Sequence, residues 1–501
     1  MMGFKRIRQS NLQAYRTFAG MTLVMLFSML VSACNLVIIP LPGLPEGTGE
    51  IRSMETFDRL FNDDVRKDLI IKVSIFDWNR LDQTMIDYAN RYDGDLRADV
   101  YVPADVLFVD PEGEVLIEYV GLRTRGNLSR VRIQDDRGML NMSHFKLSFK
   151  ETFDLSPSHA DHDALRNRRV FELEEIDLKH NRNQDPTYLN EKFSLDLFNR
   201  YDVLAQRTTL VNLYVEIGDT RHFYGVYTAF EPYDIEFLQR RFSGVEAQGD
   251  LYKCLWQQFG PASLSTGFEP AAVGIRDIPA NYRPAYDLKT NKNTSNHADF
   301  MAFVHAINTL EGAAFKQYID DHFEIDMFLR LLAVGVLLGN PDDYRGNANN
   351  YYLYHNPAIN KWMMFPYDYD HSLGQGWEGA PAFSNYSIGA DIYDWGRWTT
   401  HALGVDQYAH PLVDKILAVP AYQVIYEQHL ETLIDEDGGL FTYPAFLSVY
   451  LQQQALYDEG LDDALMPLRF GLRDIEDYIE GKRADIATQL AFYRANPHLR
   501  G

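Results

Sequence analysis

The sequence predicts an α+β protein with a strand-rich N-terminal half and a helical C-terminal half, and three observations carry that prediction. Runs of β-branched and aromatic residues with period two crowd the first half. One pair of runs, Val211 to Ile217 and Phe223 to Phe230, alternates around Gly218-Asp219-Thr220 as a hairpin. From about residue 404 the chain is mostly helical in pattern, ending in the amphipathic stretch Leu472 to Tyr493. With 46% hydrophobic and 24% charged residues the chain is ordinarily globular rather than disordered. Its 501 residues suit one large unit with appendages.

The first 33 residues stand apart. Lys5, Arg6, Arg8 and Arg16 precede the apolar run Phe18 to Ala33 with no acidic residue among them. At 16 residues the run is short for a spanning helix, which needs about 20. It ends in small residues, as an export signal does. Val31-Ser32-Ala33-Cys34 resembles a bacterial lipobox. Residues 1–33 are therefore expected to be a lipoprotein signal peptide, with lipidated Cys34 anchoring the chain to a membrane of the bacterial cell envelope. Residues 34–50, with Pro40, Pro42, Pro45, Gly43, Gly47 and Gly49, read as anchor and flexible tether, because these residues favour neither helix nor sheet. Cys34 and Cys254 are the only cysteines, so lipid on the first leaves no intramolecular disulfide. Cys254, between Lys253 and Leu255, reads as a small buried apolar residue.

From Ile51 the composition is globular. Asp68 to Ile75 is a strand followed by a helical pattern through Tyr92. Val115 to Arg125 and His144 to Phe149 read as paired strands, with Phe145, Leu147 and Phe149 on one face. Asp185-Pro186 places a capping carboxylate before a proline at the expected first helical position, and Leu189, Phe193 and Leu197 follow on one helical face. A buried helix, Met327 to Leu338, stops at Gly339-Asn340-Pro341, and a short apolar strand covers Trp362 to Phe365.

Acidic and amide residues concentrate where these last two elements end. Asp342 and Asp343 follow the helix, with Asn347, Asn349 and Asn350 close behind. Asp368 and Asp370 follow the strand, beyond the hairpin Tyr351 to Phe365. Asp and Asn are common turn residues because their side chains bond nearby backbone amides. Crowding on this scale, with Arg345 as the sole cation in the first segment, is relieved by a metal, and oxygen ligands suit Mg²⁺, Mn²⁺ or Ca²⁺.

These motifs, Asn340-Pro341-Asp342 to Asn350-Tyr351-Tyr352-Leu353-Tyr354 with Trp362, Pro366-Tyr367-Asp368-Tyr369-Asp370 and Gly374, resemble the signature of the spore-coat protein H (CotH) kinase family. Upstream, Arg125-Gly126-Asn127 with Ser129, the strand Phe145 to Phe149, Tyr224-Gly225-Val226-Tyr227 leading to Glu231, and Gly249 to Lys253 are similar to family segments in the expected order. The resemblance covers roughly residues 65 to 400 and implies a distantly protein-kinase-like fold, an atypical kinase domain over 51–400 and a helical C-terminal extension over 401–501 packed on it. It implies phosphate transfer from ATP to Ser or Thr of a protein acceptor, with Mg or Mn. On its terms Asp342 matches the catalytic aspartate, Asn350 and Asp368 match metal ligands, and Asp370 stands beside them as second ligand or support. Lys146 and Lys253 are the candidate phosphate cations, Glu231 a partner that fixes one of them, and Arg125 a further phosphate contact. About three extra residues separate Asp342 from Asn350, so Asn347 or Asn349 is an alternative ligand and Asp343 an alternative to Asp342. No Gly-rich nucleotide loop or His-Arg-Asp triplet of ordinary kinases is present.

Charge narrows the alternatives. With 47 basic against 71 acidic residues, a net charge of -24 and no basic run, the chain is not a generic nucleic-acid binder. Two other classes stay open: a carbohydrate-active lipoprotein, for which 31 tyrosines supply stacking surfaces, and a non-enzymatic Ca²⁺-binding surface or structural lipoprotein.

Overall fold

The computed structural model describes residues 55–127, 129–376, 387–394 and 410–500, with the backbone of 37–39. The export signal, Cys34 and most of the stretch read as a tether lie outside the described residues. In chain order the elements are β1 (Val37–Ile39), α1 (Phe57–Leu60), β2 (Asp68–Val73), α2 (Ile75–Arg91), β3 (Val102–Asp110), β4 (Gly113–Thr124), β5 (Phe145–Ser148), α3 (His162–Arg166), β6 (Glu175–His180), α4 (Asn190–Arg200), β7 (Thr208–Ile217), β8 (Thr220–Phe230) and α5 (Ile235–Arg241). There follow β9 (Leu251–Cys254), β10 (Val273–Gly274), β11 (Tyr286–Leu288), α6 (Ala298–Thr309), α7 (Gly312–His322), α8 (Ile325–Leu338), α9 (Tyr344–Asn347), β12 (Tyr351–Asn356), β13 (Lys361–Pro366), α10 (Pro411–Leu417), α11 (Pro420–Ile434), α12 (Tyr443–Tyr457) and α13 (Ile475–Ala495). Among the described residues no helix is long and apolar enough to cross a membrane.

Strands dominate the first half and helices the last, as the hydrophobic periods require. The larger sheet has the order β1-β4-β3-β2-β7-β8-β6-β5, and β5 also pairs with β4. Seven of its strands therefore close into a ring, and period-two side chains fill it: Phe145, Leu147, Leu178, Val211, Leu213 and Val215 are all fully buried. The first part of β4 pairs with β1, so three residues of the expected tether run as a short parallel edge strand. A second sheet, β10-β11-β9-β12-β13, lies further along the chain. Helix α8 is buried along nearly its whole length, and its core is shared with Leu412, Tyr426, Tyr457 and Tyr478 from the C-terminal helices. One core thus spans the boundary drawn at residue 400.

Two local expectations change. Helix α4 begins at Asn190, not at Pro186. Asp185 still works as a cap, but over an irregular turn: its carboxylate accepts from the backbone N–H groups of Thr187, Leu189 and Asn190 at 3.1–3.2 Å. Cys254 is buried as expected, and burial pushes its thiol well above the ordinary range.

Candidate functional site

The first acidic loop begins where α8 stops. Gly339 closes the helix in the left-handed region (φ 63°), where a Cβ would collide with Ser387 and Tyr478. Asn340 then joins the two loops: its Oδ1 accepts from the Asp342 N–H (3.1 Å) and its Nδ2 donates to the Asp368 carbonyl (3.2 Å). The neighbouring aspartates separate by direction. Asp343 faces the core, caps α9 by accepting from Gly346 N–H (2.7 Å) and receives the Tyr369 hydroxyl (3.2 Å). Burial pushes its carboxyl up to about 7. Asp342 is only half-buried, and three amides hold it: Asn347 and Asn349 donate to Oδ1 (2.9 and 3.0 Å) and Asn350 to Oδ2 (2.9 Å). Burial raises the Asp342 carboxyl above its usual range, against the pull of Asn347 and Asn349. The geometry thus favours Asp342 over Asp343 as the group that faces a ligand. Asn350 commits its amide nitrogen to Asp342, which leaves the carbonyl oxygen as the atom a cation would use.

The second loop leaves β13 at Pro366. Asp368 sits in the left-handed region (φ 61°), an uncommon conformation for a non-glycine residue. Its carboxylate meets a cation the sequence reading missed, Lys179 on β6. The Lys179 ammonium also donates to Glu191 (2.6 Å) at the start of α4 and lies 3.1 Å from Asp370. Glu191, Asp368 and Asp370 each bring a carboxylate oxygen to within 4.8 Å of the others. Burial opposes the charge of Lys179, but these three carboxylates hold it well above its ordinary range. Burial would lift Asp368 too, yet Lys179 and Arg125 bring it down to about 2. Glu191 is the group left over: burial, with Asp368 and Asp370 beside it, pushes it up to about 8.

The upstream residues surround this centre at different depths. Tyr367, next to Asp368, accepts from Arg125 (3.1 Å) and from Lys253 (3.0 Å), so both cations reach the second loop through one phenol. Burial and Arg125 lower Lys253 to about 7. Lys146 stands further back, bonded to Glu175 (2.6 Å) and 3.2 Å from Asp177, which is 3.3 Å from Arg125. Glu231 is corrected: it pairs with neither lysine. It is fully buried between Arg240 and Arg241, with contacts of 2.6 to 3.0 Å.

Lys179 left a signal in the sequence. Glu175-Ile176-Asp177-Leu178-Lys179-His180 alternates polar with apolar, and its apolar residues enter the ring while Asp177 and Lys179 share the other face. Glu191 carried no comparable sign, since its partner lies across β6 and its neighbours across a loop.

This arrangement defines a class: an α+β protein in which acidic oxygens suited to a hard cation stand beside Lys179, Arg125 and Lys253, which suit an anion. The chain belongs to the CotH kinase protein family, whose model matches residues 122–437. It is 25% identical over 206 residues to the inner spore coat protein H of Bacillus subtilis (strain 168), which covers 40% of this chain and 51% of that one. The chain thus spans about half the length of that relative. A crystal structure of the Helicobacter pylori proinflammatory kinase CtkA aligns over 65% of this chain and 92% of that chain at 10% identity. Its TM-score of 0.25 is too low to carry a shared fold.

Proposed function

We propose that this protein is an atypical kinase that moves the γ-phosphate of ATP to a serine or threonine hydroxyl of an exported protein, using a carboxylate-bound divalent metal. The observation that carries the reading is the gathering of Glu191, Asp368 and Asp370 around Lys179, on a loop joined through Asn340 to Asp342. The residues fit a divalent cation. Three carboxylates face one ammonium, the donors are oxygens, and the raised Glu191 marks a site short of positive charge. Asp368, Asp370 and Glu191 would hold the metal, with the Asn350 carbonyl as a further donor, and Mg²⁺ or Mn²⁺ there would neutralise charge on the phosphates.

The chain's own groups supply positioning and proton transfer. Lys179, fixed by Glu191, presents a permanent cation to phosphate oxygens, and Arg125 offers a planar fork. Asp342 accepts the proton of the acceptor hydroxyl as the hydroxyl oxygen attacks the γ-phosphorus and the bond from that phosphorus to the β,γ-bridging oxygen breaks, releasing ADP; three asparagine amides keep that carboxylate from swinging away. A carboxyl raised by burial is a better proton acceptor than an ordinary one. The lipobox-like Val31-Ser32-Ala33-Cys34 supports attachment to the cell envelope through lipidated Cys34.

The test is transfer of label from γ-labelled ATP to a serine-rich acceptor by the full chain in detergent, with Mg²⁺ or Mn²⁺, beside Asp342→Ala and Asp368→Ala. Label that disappears in both variants supports the reading. Absence of label together with no ATP-induced rise in melting temperature refutes it, and a strong Ca²⁺-dependent rise would then favour a structural surface protein.

A further inference from the structure

The cation centre has a support that the family match does not include. Arg473 lies two residues ahead of α13, past residue 437 where the match ends, with its backbone in the left-handed region (φ 41°). Its Nε donates to Asp185 Oδ1 (3.1 Å), and its Nη2 donates both to Asn190 Oδ1 (2.9 Å) and to the Leu373 carbonyl (2.9 Å). These three acceptors belong to the two pieces that form the centre. Asn190 is the first residue of α4 and the neighbour of Glu191, and Asp185 caps the turn that leads into it. Leu373 lies in the loop that carries Asp368 and Asp370, and its own N–H is tied to the Leu338 carbonyl (2.8 Å) at the end of α8.

We infer that Arg473 is a positioning residue for the cation centre, holding the helix that bears Glu191 and the loop that bears Asp368 and Asp370 at one fixed separation. The kinetic part of this inference rests on the proposed phosphotransfer. Three features argue for it. A guanidinium is planar and forked, so one side chain satisfies three acceptors on two segments, which an ammonium on a flexible stem cannot do with the same fixed geometry. Its main partner, Asp185, is almost fully buried, so the pair is held in place rather than fluctuating at the surface. The surrounding chain is docked on the same ground: Gly471 N–H donates to the Pro186 carbonyl (2.7 Å), and the Tyr478 hydroxyl donates to the Leu337 carbonyl (2.9 Å) at the mouth of the Asp342 loop. The C-terminal segment is thereby a structural part of the site and not an accessory to it.

The experiment uses the full chain in detergent and measures Mn²⁺ affinity by electron paramagnetic resonance, melting temperature, and kcat and KM for the acceptor. For Arg473→Ala, Mn²⁺ binding is expected to weaken by about 10-fold or more, the range found when a group that orients metal ligands is removed. The value of kcat falls while KM for the acceptor holds, and millimolar methylguanidinium restores both affinity and kcat in this variant without changing wild type. Arg473→Lys, which keeps the charge and guards against a misfolded alanine variant, is expected to show the same weakened Mn²⁺ affinity. The inference is overturned if folded variants bind Mn²⁺ as wild type does, if methylguanidinium rescues nothing, or if wild type binds no Mn²⁺. A wild type that binds Mn²⁺ but transfers no phosphate would sink the kinase reading alone, because the Mn²⁺ arm still decides the role of Arg473.

Discussion

Two buried knots of charge in this protein, one around Glu231 and one around Lys179, are built on opposite plans. At Glu231 one carboxylate meets two arginines and a backbone N–H: Arg240 and Arg241 close on both oxygens, and Arg207 N–H donates at 3.0 Å. Burial works against that charge, but Arg241 and Arg240 keep the carboxyl below its ordinary range. The Glu231 side chain itself is fully buried. At Lys179 one cation faces three carboxylates, one of which sits in a rarely used backbone conformation with its side chain 35% exposed. The first knot is satisfied and closed. The second is short of positive charge and open. A lock needs complete pairing, because a buried charge without a partner costs several kcal/mol. A cation-binding centre needs incomplete pairing, since a site whose carboxylates are already neutralised offers a cation nothing.

The sharpest way to break this contrast is at the open knot. Asp368→Ala is expected to lower phosphate transfer on the order of 10³-fold, by analogy with the loss of one preorganised electrostatic group, and to abolish any Mg²⁺-induced rise in melting temperature. Unchanged transfer by this variant would remove Asp368 from the site. The closed knot should respond oppositely. Glu231→Ala strands two arginines and is expected to cost about 3–5 kcal/mol of stability, read by urea denaturation, with no dependence on divalent cation.

Lys179→Met tests whether the lysine stands in for missing positive charge. Without Mg²⁺ the three carboxylates lose the ammonium that touches all of them, and stability is expected to drop by about 3 kcal/mol. Millimolar Mg²⁺ should return part of that loss, and a variant indifferent to Mg²⁺ contradicts the reading of the centre as a cation site.

The smallest effect is a slope. Asp343 holds its proton up to about 7 in the folded protein, while an unfolded aspartate gives it up near 4. A raised carboxyl contributes stability that is fully present below about pH 4 and is lost as pH rises through about 7. Asp343→Asn, which keeps the cap on Gly346, is expected to flatten this slope of at most about 1.4 kcal/mol per pH unit between pH 4 and 7. Equal slopes in variant and parent, measured by denaturation across that window, would show that Asp343 is ionised throughout.

Much of this molecule was legible in the chain. The ring-forming strands announced themselves through alternation, as Val211, Leu213 and Val215 did, and α8 through an apolar run closed by Gly339. The two acidic loops were legible as well, because Asp and Asn crowd at the ends of apolar elements. The start of α4 was misread, since Pro186 suits a first helical turn and only the tertiary turn around Asp185 delays the helix. The cations were the weakest reading. Lys146 and Lys253 stand near acidic or aromatic stretches in sequence, yet the ammonium at the centre is Lys179, 189 residues away from Asp368.

What the sequence determined by itself is therefore local and periodic: which residues form strands and helices, where glycine permits a turn, and which loops carry carboxylates. Tertiary structure alone decided the partners. Whether Glu231 is locked by arginines or pairs with a lysine, and whether Arg473 reaches the loop of Asp368, depends on which segments the closed ring and the shared core bring together. The reason is physical: secondary structure follows from neighbours a few residues apart, whereas electrostatic pairing depends on distance through space, which no spacing along the chain encodes.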